Sequence, residues 1–136
     1  NGTARIKKVK NENIKKYITH LNTISHNKQI VLLNYPEVYS SLKEITSAYH
    51  NVFVPETKTI FETIELIRHC DQLISTDTST VHIASGFNKP MIAIYREDPI
   101  AFTHWKPMSK ATTHILQYKE NINELSPDII KKEWLI

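Results

Sequence analysis

Apolar residues in this chain recur in two ways: at helical steps in some stretches, and as short unbroken runs in others. Ile14, Tyr17, Ile18, Leu21 and Ile24 are three or four residues apart, which predicts a helix over about 11–25 with one core-facing side. Asn11, Glu12 and Asn13 stand where capping groups are wanted. Ile30, Val31, Leu32 and Leu33 form a continuous apolar run, as expected of a strand buried on both faces of a parallel sheet. A second helix is predicted over about 38–48, with Leu42 and Ile45 facing inward. Val52, Phe53 and Val54 read as a weak strand ended by Pro55, and Ile60, Ile64, Leu66 and Ile67 give the next helix an apolar side. Leu73 and Ile74 then begin a strand, residues 91–95 another, and residues 114–118 a last one. Ser126, Pro127 and Asp128 open a closing helix whose apolar residues are Ile129, Ile130 and Trp134. Strands alternating with helices predict βαβ crossovers and an α/β fold.

The stretch with most chemical content lies between the strand at Leu73 and the strand at Met91. Ser75, Thr76, Asp77, Thr78, Ser79 and Thr80 are small and hydrogen-bonding, a helix N-terminus signal with Asp77 or Thr78 as the natural cap. Gly86 and Pro90 keep that helix short. Its first-turn amides have no internal acceptor and lie at the positive end of the helix dipole, so they favour an anion. Thr78, Ser79 and Thr80 add hydroxyl donors, and His82, four residues after Thr78, is expected on the same face. Asp77 suits a phosphate poorly unless it caps the helix or reaches a ligand hydroxyl. On spacing alone, a plain helix cap and a partly buried histidine explain the same residues.

Composition narrows the classes. At 136 residues, 40% hydrophobic and 23% charged, the chain is sized for one domain with its own core, spanning 1–136. No apolar run approaches a membrane span, and the first residues carry no signal-peptide pattern. The single cysteine, Cys70, excludes an intramolecular disulfide framework, fits a reducing compartment and reads as a core thiol. The seven histidines are scattered, without metal-ligand spacing. A net charge of +3 is too mild for strong nucleic-acid binding. The lysines at 7, 8, 10, 15, 16, 131 and 132 read as solvated faces, compatible with a phosphate-bearing ligand or an anionic membrane surface. We see no repeats, low complexity or internal linker.

Residues 71–95 follow the pattern D-x-x-I-S-x-D-T-x-x-x-H-I-A-x-x-x-x-x-P-x-I-A-I-Y, which resembles the donor-site segment of glycosyltransferase family 9, the heptosyltransferases of lipopolysaccharide assembly. The resemblance extends over nearly the whole chain. It implies a Rossmann-like parallel sheet flanked by helices, the C-terminal half of a two-domain GT-B glycosyltransferase, with a further strand before Asn1 and an acceptor-binding domain before that. It also implies a donor site. Thr3, Arg5 and Lys8 would approach the donor diphosphate, and Glu37 would hold ribose hydroxyls, although an acidic residue at a helix start explains Glu37 equally. Lys58 or Thr59 would contact the nucleotide, where a capping role for Thr57 or Thr59 explains the residues equally well. Asp77 would take donor-sugar hydroxyls, Thr78, Ser79 and Thr80 the phosphates, and His82 a phosphate or sugar oxygen. In the family a Trp-Lys-Pro motif, here at 105–107, recurs in the loop flanking this site.

The implied reaction moves a heptose-like sugar from a nucleotide diphosphate donor, such as ADP-heptose, to a lipopolysaccharide or lipooligosaccharide core. No metal or cofactor is implied, and the catalytic base is expected in the other domain, so this chain alone is expected to be inactive. The expected setting is cytoplasmic, with room for peripheral contact at the inner face of a bacterial inner membrane. Two rivals stand beside this reading. One is a non-enzymatic Rossmann-like nucleotide- or phosphate-binding or regulatory module, such as a phospho-receiver; a receiver needs acidic residues after its first strand and Lys-Pro after a strand, whereas Lys89-Pro90 precedes one here. The other is a degenerate family relative, because residues 1–9 lack the family's usual glycine-rich, tryptophan-containing loop.

Overall fold

In the computed structural model, which describes residues 9–25, 27–76, 78–98 and 106–136, the run at 91–95 is buried from end to end. It belongs to β4 (Met91–Arg96), which lies between β3 (Leu73–Thr76) and β5 (Thr113–Tyr118) in a three-stranded parallel sheet. Side chains alternate across a strand, and the core divides accordingly. Met91, Ala93 and Tyr95 join Ile67, Leu73, Val81 and Ala84 on one face. Ile92 and Ile94 join Leu116, Tyr118, Ile122 and Ile130 on the other, with Tyr17, Leu21 and Ile24 packed against them. Burial on both faces is why this strand reads as a continuous apolar run.

The remaining elements are α1 (Asn11–Ile24), β1 (Ile30–Val31), α2 (Pro36–Thr46), β2 (Val52–Phe53), α3 (Ile60–His69) and α4 (Ser79–Gly86). Helices α3 and α4 supply the first core face through Ile67, Val81 and Ala84, and α1 helps cover the second. The expected α/β alternation is therefore present, and the strand pairs among the described residues are parallel.

Several expectations need correction. The strands form two sheets, β1-β2 and β3-β4-β5, and β1 is two residues long rather than four. Leu32 still donates to the Phe53 carbonyl at 2.9 Å, one residue beyond the strand. Helix α1 is preceded by Lys10, which makes no side-chain cap; Asn13 and the Lys10 amide instead donate to the Asn123 side chain. Ile60, assigned to an apolar side, is half exposed, and Ile67 is the buried residue of α3. Gly86 ends α4, but the left-handed residue is Asn88 at φ 52°, a conformation that asparagine tolerates.

The closing helix is replaced by three 3-10 turns, Ile122–Glu124, Pro127–Ile129 and Lys132–Trp134. The Asn121 and Ser126 side chains accept from the Asn123 and Asp128 amides. Such local bonds restart the backbone and compete with a continuous helix, and Pro127 removes a further donor.

Among the described residues no helix is long and apolar enough to cross a membrane. The Tyr17 hydroxyl is buried and finds no hydrogen-bond partner among them, and burial pushes its phenol above the ordinary value. Tyr17→Phe is therefore expected to leave stability unchanged or raise it, by up to about 1 kcal/mol, readable as the shift in a urea unfolding midpoint. A loss of stability would reveal a partner for that hydroxyl.

Candidate functional site

Strand β3 delivers Ser75 and Thr76 to its carboxyl end, where ligands bind in open parallel sheets. Helix α4 starts directly beyond it at Ser79, with Thr78 as the cap residue in extended conformation (φ −140°, ψ −179°). Three hydroxyls meet there. Ser75 Oγ lies 2.5 Å from Thr80 Oγ1, and Thr80 Oγ1 lies 2.7 Å from Thr78 Oγ1. Ser75 also donates to the Thr76 carbonyl at 3.1 Å, and Thr78 donates to it at 3.3 Å. Three protons serve four contacts. An outside acceptor could therefore take the Thr78 proton when Thr80 donates to Thr78 and Ser75 to Thr80, an arrangement that gives up both hydroxyl bonds to the Thr76 carbonyl.

Packing aims the outer side of α4 at solvent. Val81, Ala84 and Ser85 are buried, and Ser85 is fixed by donating to the Val81 carbonyl at 2.9 Å while accepting from the Met108 amide at 3.0 Å. Thr78, Ser79 and His82 are exposed and Thr80 is half buried, so among the described residues no packed side chains seal this helix start. Thr78 precedes the helix in extended conformation, and His82 lies within it. The Thr78 side chain does not cap the helix, since its hydroxyl is engaged by Thr76 and Thr80.

Glu37 and Lys58 follow the two strands of the smaller sheet. Glu37 is exposed in the first turn of α2, after β1. Lys58 is exposed between β2 and α3, and its amide donates to Glu62 Oε2 at 3.2 Å. Neither threonine beside it caps α3: the Thr59 side chain makes no cap bond, and Thr57, 3% exposed, donates into Asn34. Thr3, Arg5, Lys8 and Asp77 lie outside the described residues, as does Trp105 of the Trp-Lys-Pro motif. A concavity of about 610 Å³ lies elsewhere, against Val31, Phe53, Val54, Pro55 and Leu66.

Sequence reasoning missed Ser75 and Asn34. Ser75 was the first polar residue of its cluster, and Asn34 closes an apolar run, a turn signal in its own right. Among the described residues no group of three or more His, Cys, Asp or Glu could hold a metal. Cys70 is half buried beside the first core face, and desolvation chiefly pushes its thiol up, consistent with a packed rather than a reactive thiol.

The family model for glycosyltransferase family 9 (heptosyltransferase) matches residues 3–134. The chain belongs to that family. Two solved structures are similar to this family 9 chain. E. coli heptosyltransferase WaaC with ADP superposes with a TM-score of 0.71 at 16% identity, covering 90% of this chain and 38% of that one. E. coli ADP-heptose lps heptosyltransferase II gives 0.66 at 18%, covering 96% of this chain and 40% of that one. The chain thus spans about two fifths of the length of either neighbour. No curated protein matches. At these identities the likeness establishes the fold, and the Rossmann-like expectation for this family 9 chain holds.

Proposed function

We propose that this chain is the nucleotide-sugar-binding domain of a heptosyltransferase-like glycosyltransferase, with the α4 start as its diphosphate cradle. The observation that carries the reading is the unsealed N-terminus of α4, where Thr78, Ser79 and Thr80 stand beyond the carboxyl end of β3. Support comes from family membership and from a neighbour of the same fold that contains ADP.

Glycosyl transfer builds negative charge on the departing diphosphate as the sugar gains oxocarbenium character. Donors already aimed at those oxygens help most as the charge develops. A helix N-terminus contributes about 0.3–1 kcal/mol when exposed and up to about 2 kcal/mol when partly buried. Charge-assisted bonds from Arg5 and Lys8 would add about 1.5–3 kcal/mol each. In this proposal Asp77 holds donor-sugar hydroxyls, His82 a phosphate or sugar oxygen, and Glu37 and Lys58 the nucleoside end. The base and the lipopolysaccharide-type acceptor belong to a separate acceptor domain, in a cytoplasmic enzyme that approaches the inner membrane peripherally.

Titration calorimetry with ADP tests the site. Wild type is expected to bind, and Lys8→Ala to weaken binding by about tenfold, the equivalent of roughly 1.4 kcal/mol. Absence of any ADP binding by wild type would remove the proposal. Sugar transfer by this chain alone would refute the assignment of the base to another domain.

A further inference from the structure

We propose that Asn34 and Thr57 are positioning residues for the nucleoside end of the site, a buried clasp that sets where Glu37 and Lys58 stand without touching ligand. This rests on the nucleotide reading above.

The smaller sheet has little to hold its carboxyl end together. Its ladder ends with Leu32 donating to the Phe53 carbonyl, and the two chains would be free to separate beyond that point. They do not. The Asn34 side-chain amide donates to the Pro55 carbonyl at 2.7 Å and back to the Leu32 carbonyl at 3.1 Å. In return the Thr57 hydroxyl donates to the Asn34 carbonyl at 2.5 Å, with Asn34 Oδ1 at 3.3 Å. Each loop thus reaches into the other, and the contact is buried: Asn34 is 8% and Thr57 3% exposed. Buried polar groups of this kind hold one geometry, because any departure leaves a desolvated donor or acceptor unmade.

The residues leaving the clasp face solvent. Lys58 directly follows Thr57, and its amide is held by Glu62. Glu37 stands three residues after Asn34, in the first turn of α2. Tyr35, between them, is half exposed. The two candidate ligand contacts of this sheet are therefore carried on one buried knot that local sequence patterns do not announce.

The test compares ADP affinity and thermal unfolding across the full chain carrying Thr57→Val, Thr57→Ser or Asn34→Ala. Valine keeps the shape of threonine and removes the hydroxyl; serine keeps the hydroxyl. The clasp requires Thr57→Val to lose about tenfold in ADP affinity, roughly 1.4 kcal/mol, at temperatures where it remains folded, with Thr57→Ser restoring most of it. Asn34→Ala, should Thr57→Val not fold, must show the same loss, with faster amide exchange at residues 35, 37, 38 and 56–59 while β4 stays protected. If wild type binds ADP and the folded variants bind it equally well, the clasp is structural only and the inference is overturned. If wild type does not bind ADP, the nucleotide reading fails first and takes the inference with it.

Discussion

Tyr95→Ala is expected to lower the unfolding free energy by about 3–5 kcal/mol, the range for emptying a large aromatic side chain from a closed core. Tyr95 is 1% exposed on the central strand and packs in the cluster that gathers β3, α3 and α4. Its loss opens a cavity in the cluster that holds Val81 and Ala84, two of the residues that seat α4 on the sheet. Domains are typically stable by only about 5–15 kcal/mol, so the variant should be partly unfolded or sharply shifted in urea. Phe53→Ala serves as the contrast. That ring is 46% exposed on the short β2, and its removal is expected to cost about 1 kcal/mol or less, since partly solvated apolar area returns less on truncation. The two urea midpoints decide the matter. A Tyr95→Ala shift no larger than that of Phe53→Ala would mean that β4 is not the central support of α4.

This contrast tracks what could be read from the chain beforehand. Residues 91–95 are apolar without interruption because β4 is covered on both faces, so their burial was legible. Helices α1, α2 and α3 were legible through their periodicity, and the start of α4 through its run of small hydroxyl residues. The 71–95 pattern carried the family itself. What stayed hidden depends on distant or competing bonds. Asn34 and Thr57 are 23 residues apart, and no local rule pairs them, so Thr57 looked like a cap. Ser75 and Thr80 belong to different elements, and their contact exists only once β3 and α4 are joined. The closing segment has an apolar spacing that suits a helix, yet Asn121, Ser126 and Pro127 break it into separate turns. The short β1 and the division into two sheets followed from where ladder bonds stop, which apolarity alone does not report.

Ser79→Glu should separate stability from binding at α4 by moving them in opposite directions. Ser79 is exposed at the first position of the helix, where a carboxylate interacts favourably with the dipole and the unpaired amides. Folding stability is therefore expected to stay level or rise by about 0.3–1 kcal/mol. For a diphosphate at the same amides that carboxylate is a competitor and a like charge. A unit charge about 4 Å from another costs roughly 4 kcal/mol at an effective dielectric near 20, and less as salt screens it. ADP affinity should then fall by about a hundredfold or more, close to 2.7 kcal/mol. Ser79→Gln matches the side-chain size without the charge and should retain most of the binding, which separates repulsion from crowding. Higher salt should narrow the gap between the two variants. If Ser79→Glu bound ADP as wild type does, the phosphates could not lie at this helix end. The hydroxyls of Ser75, Thr78 and Thr80 would then be a device for joining β3 to α4 and nothing more.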